Sequence, residues 1–412
     1  MAGPEVISLG CRLNLAESET IRTLLGSEPE AANVVVVNSC AVTNEAVRQT
    51  RQAIRRARRA RPDAQVIVTG CAAQIDPEGF GKMPEVDRVI GNAEKLTPEA
   101  WRSGEAALVQ DIMAVRQTAP HLAASFSAHA RAFVEVQNGC DHRCTFCAIP
   151  FGRGNSRSVP AGAVIERVQA LVEAGHREIV LTGVDLTSYG PDLPGAPTLG
   201  MLVERVLAHT GVERLRLSSL DGIEIDERLF ALLTQETRVM PHVHLSLQAG
   251  DDMVLKRMKR RHLRAQSVEL VARLKAARPG LAIGADLIAG FPTEDEAMFA
   301  NTLALIDDCD IVHAHIFPYS PRDGTPAARM PQVAPAVAKA RAAALRERAA
   351  ARRTAWLDTL VGTNQSILVE RPGDRGHAGN FAEVVLPPQE VGTIANVKIE
   401  TVQDGKLIGV VA

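Results

Sequence analysis

The chain has 412 residues, 46% of them apolar, and a formal net charge of -2, which is material for two or three packed domains rather than one. It contains no run of about eighteen apolar residues, and MAGPEVISLGCRLN lacks the basic leader and long apolar core of a signal peptide. A soluble, cytoplasmic protein with no membrane partner is expected on that basis.

Up to about residue 95 the pattern reads as βα units. VISLGC precedes a helix from Asn14 to Leu25, VVVVNSC precedes an arginine-rich helix, and QVIVTGC precedes a further helical segment. GSEPEAAN leaves little room for extra residues between the first helix and the second strand. Cys11, Cys40 and Cys71 each end an apolar run. In an open parallel sheet, groups at the carboxyl ends of strands gather at one edge, so three distant cysteines can meet there. The competing reading is three small buried hydrophobes. On the second helix Arg48, Arg51, Arg55 and Arg58 share one side, a spacing suited to phosphates and equally to a solvated helix face.

After a polar, irregular stretch from about Lys95 to His129, six strand-like runs alternate with helical segments: RAFVEVQ, REIVLTGVDL, VERLRLSSL, HVHLSLQ, LAIGADLIAG and DIVHAHIFPY. The clearest helix runs from Ala163 to Ala174, with Val164, Val168, Leu171 and Val172 on one face and Gly175 as its stop. This alternation predicts a partial parallel barrel with its chemistry at the carboxyl ends of the strands. Cys140, Cys144 and Cys147 follow the first of these strands as a CxxxCxxC loop.

LKRMKRRHLR, from Leu255 to Arg264, is strongly basic with no acid, and suggests nucleic-acid contact. Cys309 is expected to pack as a small hydrophobe, and the alanine-rich stretch from Ala334 to Leu360 to form a long surface helix. From Gly362 short β-like runs separated by turns predict a small β-barrel. That region has four Lys/Arg against six Asp/Glu, and Phe381 is its only aromatic residue. A generic single-strand binder would carry more basic charge and more stacking rings. The fold expected is α/β: an open parallel βα domain over residues 1–118, a partial (βα)6 barrel over 126–355, and an all-β barrel over 356–412.

In a reducing compartment the cysteines point to metal or redox chemistry rather than disulfides. Four-iron clusters prefer four thiolates, so each triad would leave one iron open. A zinc site would want a fourth ligand, and His142 inside the loop keeps that alternative available.

CDHRCTFC resembles the CxxxCxΦC loop of the radical S-adenosylmethionine superfamily, with Phe146 as its aromatic residue. GADLIAGFPTE, Gly284 to Glu294, resembles the strand and turn beside the cofactor's adenosine, so Phe146, Gly284, Asp286, Gly290 and Pro292 are the implied cofactor contacts. Two triads followed by a β-domain resemble the methylthiotransferase family, with its TRAM domain at the end. NSCAVTNEA and GVDLTSYG resemble the branch acting on N6-threonylcarbamoyladenosine next to the tRNA anticodon.

The resemblance implies S-adenosylmethionine and two [4Fe-4S] clusters. Cys11, Cys40 and Cys71 would hold the sulfur-carrying one, and Cys140, Cys144 and Cys147 the one that cleaves S-adenosylmethionine. The product would be methylthiolated at C2 of the adenine. Isopentenyladenosine, a ribosomal-protein aspartate, and a non-catalytic metal-containing RNA-binding protein are the alternatives.

Arg153, Arg157, Asp185, Tyr189, Gln248, Lys259, Arg260 and Arg261 are candidate substrate contacts, each with a structural role as the competing reading. His242 and His244 alternate on a strand and are expected to pack and hydrogen-bond. The tRNA anticodon stem-loop and an electron-donor protein are the expected partners, and the chain is expected to be a monomer.

Overall fold

A computed structural model describes residues 3–26, 33–116 and 129–412. The GSEPEAAN connection and the proposed domain limits at 118 and 126 fall wholly or partly outside the described residues.

The amino-terminal part runs β1 (Glu5–Ser8), α1 (Arg12–Gly26), β2 (Val34–Ser39), α2 (Asn44–Ala60), β3 (Gln65–Gly70), α3 (Cys71–Ile75), α4 (Pro77–Gly81), β4 (Arg88–Ile90), α5 (Pro98–Arg102) and β5 (Ala107–Leu108). These strands form a parallel sheet in the order β1-β2-β3-β4-β5. The VVVVNS strand is buried throughout, as a β-branched run covered on both faces should be. Thr43 caps α2, accepting from the Ala46 N–H, with Glu45 in the first turn and Arg58 and Arg59 in the last. The stretch read as irregular from Lys95 contains α5 and β5, elements too short for a periodic signal.

The central part runs β6 (Arg131–Asn138), α6 (Ile149–Arg153), β7 (Arg157–Ser158), α7 (Ala161–Glu173), β8 (Glu178–Gly183), α8 (Leu199–His209), β9 (Arg214–Leu217), β10 (Ser219–Leu220), α9 (Glu227–Gln235), β11 (His242–Gln248), α10 (Asp252–Met258), α11 (Arg264–Ala277), β12 (Ala282–Ala289), α12 (Glu296–Asp308), β13 (Ile311–Pro318) and α13 (Pro335–Asp358). Its strands make two four-stranded sheets, β7-β6-β8-β9 and β10-β11-β12-β13, linked by a bridge between Leu215 and Val239. Every run named from the sequence forms a strand, and only the short β7 pairs antiparallel. The third run breaks at Ser218 into β9 and β10. Val164, Val168 and Leu171 of α7 join Ile179, Leu181, Leu215 and Val243 in the largest core, between helices and strands, and Cys309 is buried in it as expected.

The last part is a closed barrel, β14 (Asn364–Glu370), β15 (Arg375–Ala378), β16 (Glu383–Val385), β17 (Ile394–Gln403) and β18 (Lys406–Val411), in the order β14-β15-β16-β18-β17. Trp356 and Leu357 at the end of α13 pack into its core, so this helix carries past residue 355 without a break. Among the described residues no helix is long and apolar enough to cross a membrane.

Candidate active site

Cys11, Cys40 and Cys71 sit just beyond the carboxyl ends of the neighbouring strands β1, β2 and β3. Two glycines allow this. Gly10 (φ +95°) packs so tightly that a Cβ there would lie 2.7 Å from Cys40 Sγ, and Gly70 (φ +94°) turns against the Ser39 backbone, where no side chain fits. Asn14 ties the first two cysteine loops together, donating to Leu9 O at 2.7 Å and Ser39 O at 2.9 Å.

Around Cys71 lies a buried charge network. Arg153 donates from Nε to Cys71 Sγ at 3.0 Å, and Asn92 Nδ2 lies 3.7 Å from the same sulfur. The Arg153 guanidinium also pairs with Glu17 and bonds Asn14 Oδ1. Lys95 Nζ donates to Glu17 at 2.6 Å and to Asn92 Oδ1 at 2.7 Å. Lys95 and Glu17 are 0% exposed and Arg153 is 2% exposed. Two buried cations thus face one carboxylate, an imbalance that burial makes costly unless an anion joins them. An anionic thiolate-ligated cluster on Cys11, Cys40 and Cys71 supplies that anion, so the residues fit the group.

Cys140, Cys144 and Cys147 lie in the loop between β6 and α6 and are partly exposed. The loop is anchored by its own backbone: Thr145 N–H donates to Met258 O at 3.1 Å, and its carbonyl accepts from Ala327 N at 2.9 Å. Arg260 Nη1 stands 3.8 Å from Cys144 Sγ, while its Nη2 donates to Asp221 at 3.0 Å and Ser246 O at 2.9 Å. On the other side Asp185 Oδ2 is 3.6 Å from Cys140 Sγ and 2.9 Å from His142 Nε2. Hydrogen bonds to Asp185 and then Glu224 push His142 up to about 10, so in this arrangement it pairs with these two carboxylates as a cation.

The two cysteine segments meet where α6 packs on α3. A Cβ on Gly152, in α6, would lie 3.1 Å from Cys71 Cβ at the start of α3, and Asn92 donates to Gly152 O at 2.5 Å. Three thiolates on one zinc would lie about 3.8 Å apart. Among the described residues, the three-ligand groups gathered within 4.8 Å are His244/Asp286/His315 and His142/Asp185/Glu224. Neither cysteine triad is among these groups.

The candidate cofactor contacts divide. Phe146 packs edge-on to Phe291, ring centroids 6.4 Å apart, beside the radical loop. Asp286 accepts from His244 and His315, both at 3.1 Å, on the strand face opposite the helix-packed core. Gly284 is demanded by His244, since a Cβ would lie 2.5 Å from Nδ1, and Gly290 by the close approach of Ala338 on α13. Pro292 is buried in the turn that follows.

Several candidate substrate contacts prove to be internal. Arg157 is buried, donating to Asn155 O and Arg153 O. Tyr189 is 2% exposed with its hydroxyl on Val159 O. Arg260 points at Cys144 rather than at solvent, and Arg261 pairs with Asp221 and Glu224. Gln248 ends β11 half-buried in a left-handed conformation (φ +67°), and of the basic run only Lys259 among the named residues is exposed without an acidic partner. On α2, Arg48, Arg51, Arg55 and Arg58 pair with Glu45, Asp76, Glu85 and Asp87, leaving Arg56 and Arg59 as exposed cations with no acidic partner among the described residues.

Sequence reading missed Glu17, Lys95, Asn92 and Asp221. Only Asn14 and Glu17, three apart on one helix face beside Cys11, carried a local signal.

The radical SAM superfamily model matches residues 134–306, and that of an uncharacterised protein family, UPF0004, matches residues 5–91. The threonylcarbamoyladenosine tRNA methylthiotransferase MtaB of Rickettsia prowazekii is 47% identical over 404 residues, 97% of this chain and 96% of the relative. The chain belongs to the MtaB branch of the radical S-adenosylmethionine methylthiotransferase family. Bacillus subtilis MtaB is 38% identical over 78% of this chain and 74% of its own. The radical S-adenosylmethionine methyltransferase TsrM of Kitasatospora setae, at 16% identity and a TM-score of 0.57 over 80% of this chain and 75% of its own, shares the fold. S-adenosylmethionine and two [4Fe-4S] clusters are the cofactors of this family.

Proposed function

We propose that this chain methylthiolates C2 of N6-threonylcarbamoyladenosine next to the anticodon of tRNA. The observation that carries the reading is the pair of cysteine triads on two segments that meet where α3 packs against α6, one of them with an excess of buried positive charge at its Cys71. When bound, the clusters and S-adenosylmethionine supply the radical, the sulfur and the methyl group.

The chain's own residues position and insulate. Cys140, Cys144 and Cys147 would hold one cluster, with Arg260 neutralising Cys144 and Asp221 fixing Arg260. Cys11, Cys40 and Cys71 would hold the other, with Arg153 and Asn92 directed at Cys71. Because Arg153 ends the helix that follows Cys147, the network joins the two sites mechanically. Phe146 and Phe291 exclude water beside the radical loop. Exposed Lys259, Arg56 and Arg59 would meet tRNA phosphates. A soluble electron-donor protein would reduce the clusters.

The test is anaerobic reconstitution followed by iron analysis and incubation with S-adenosylmethionine, reductant and an anticodon stem-loop bearing the modified base. About eight irons per chain and the 2-methylthio nucleoside by mass spectrometry are expected. Zinc in place of iron, with no product, would overturn the reading in favour of a metal-containing RNA-binding protein.

A further inference from the structure

Arg12 follows Cys11 and opens α1, yet its guanidinium lies over the ring of Phe381, 5.6 Å from the centroid. Phe381 belongs to the carboxyl-terminal barrel. Arg131 and Arg216 stand over the same ring at 5.4 Å and 4.8 Å. Strand alternation puts Arg131, Glu178, Arg216, His244 and Asp286 on the face away from the helix-packed core. A polar face rich in cations results.

The acids of this face are already engaged. Glu178 meets Arg131 at 2.8 Å, Arg214 at 2.9 Å and Arg216 at 3.1 Å. Glu370 pairs with Arg131 and His377, and Asp286 with His244 and His315. The charges of Arg216, Arg131, Glu178 and Asp286 all reach Arg12. Of these four arginines, Arg12 is the one with no hydrogen-bond or ion-pair partner among the described residues, its contact being the Phe381 ring. A half-buried guanidinium carries a fork of donors suited to a carboxylate. Here that fork is open, one residue from a cysteine of the auxiliary triad.

We infer that Arg12 is a specificity-determining residue that receives the carboxylate of the substrate's threonylcarbamoyl group, with Asp286 and its two histidines as the polar wall beside it. This rests on the substrate proposed above. An N6-alkyl group such as isopentenyl has no anion to offer, and seating it there would leave Arg12 unpaired, a stronger basis for rejection than shape alone. If Arg12 were only a cation–π support for Phe381, its loss would alter stability and leave discrimination between substrates intact.

The test uses reconstituted holoenzyme and three anticodon stem-loop RNAs, bearing threonylcarbamoyladenosine, its methyl ester, or unmodified adenosine, with binding read by fluorescence polarisation. The wild-type enzyme should bind the acid more tightly than the ester by on the order of tenfold or more. Arg12→Gln should bring acid and ester together, and Arg12→Lys, which keeps charge without the fork, should retain part of the difference. Equal wild-type binding of acid and ester, or full discrimination by Arg12→Gln, would overturn the assignment. Iron content monitors folding. Should Arg12→Gln lose iron, Arg12→Lys decides: discrimination falls part way under the assignment and is unchanged without it. If the wild-type enzyme makes no 2-methylthio product from threonylcarbamoyladenosine, the substrate reading fails. If it makes that product while Arg12→Gln still separates acid from ester, the Arg12 assignment alone fails.

Discussion

The two cysteine triads are built on opposite electrostatic plans. The auxiliary triad runs from an exposed Cys11 to a buried Cys40 and Cys71, with Cys71 clasped by a buried Arg153 whose charge, with that of Lys95, exceeds what Glu17 can neutralise. The radical triad rides on a partly exposed loop, where Arg260, Arg261 and His142 are matched by Asp221, Asp185 and Glu224, three cations to three acids. On the proposed assignment the sulfur-carrying cluster would sit against buried positive charge at Cys71, and the cluster that binds S-adenosylmethionine would sit on a partly exposed loop.

Removing a radical-loop ligand gives the largest effect. Cys144→Ala should abolish product while iron falls only to about half, since the other triad remains whole. Loss of all iron would show that the sites do not assemble independently.

The buried charge is tested next. Glu17→Gln removes the carboxylate that Arg153 and Lys95 share, and should destabilise the apoprotein by about 3–5 kcal/mol. The cost should be smaller with clusters loaded, because the auxiliary cluster's anion then compensates. Denaturant unfolding of both forms measures the difference, and equal losses would contradict the charge argument.

A milder break comes at Arg260. Arg260→Ala should keep the iron but slow turnover by about 10–100-fold, the usual cost of losing an outer-shell partner. The smallest effect belongs to the surface. Lys259→Glu should weaken tRNA binding modestly and reduce its salt dependence by about one phosphate contact, with iron content unchanged. Binding that is insensitive at moderate salt would remove Lys259 from the interface.

The contrast between the triads also marks what the sequence made legible. Strand-end cysteines and the CxxxCxxC loop are local patterns, and the open sheet, the partial barrel and the closing β-barrel followed from strand and helix periodicity. The pairing of charges is not local. Arg153 meets Glu17 across 136 positions, and Arg260 meets Asp221 across 39, so an arginine behind a cysteine loop and a basic run gave no sign of turning inward. The α2 arginines show the same limit: periodicity placed them on one face, but the carboxylates that occupy them, Asp76, Glu85 and Asp87, come from later segments. Phe381 looked like a shortage of stacking rings for RNA and is instead the floor under three arginines.

The most direct measurement is mass spectrometry of tRNA nucleosides from a strain lacking this gene, complemented with the intact gene or with Cys144→Ala. Loss of 2-methylthio-N6-threonylcarbamoyladenosine, restored by the intact gene and not by the variant, is the expected result. Persistence of that nucleoside in the deletion strain, with the isopentenyl counterpart lost instead or with every tRNA nucleoside unchanged, would contradict it.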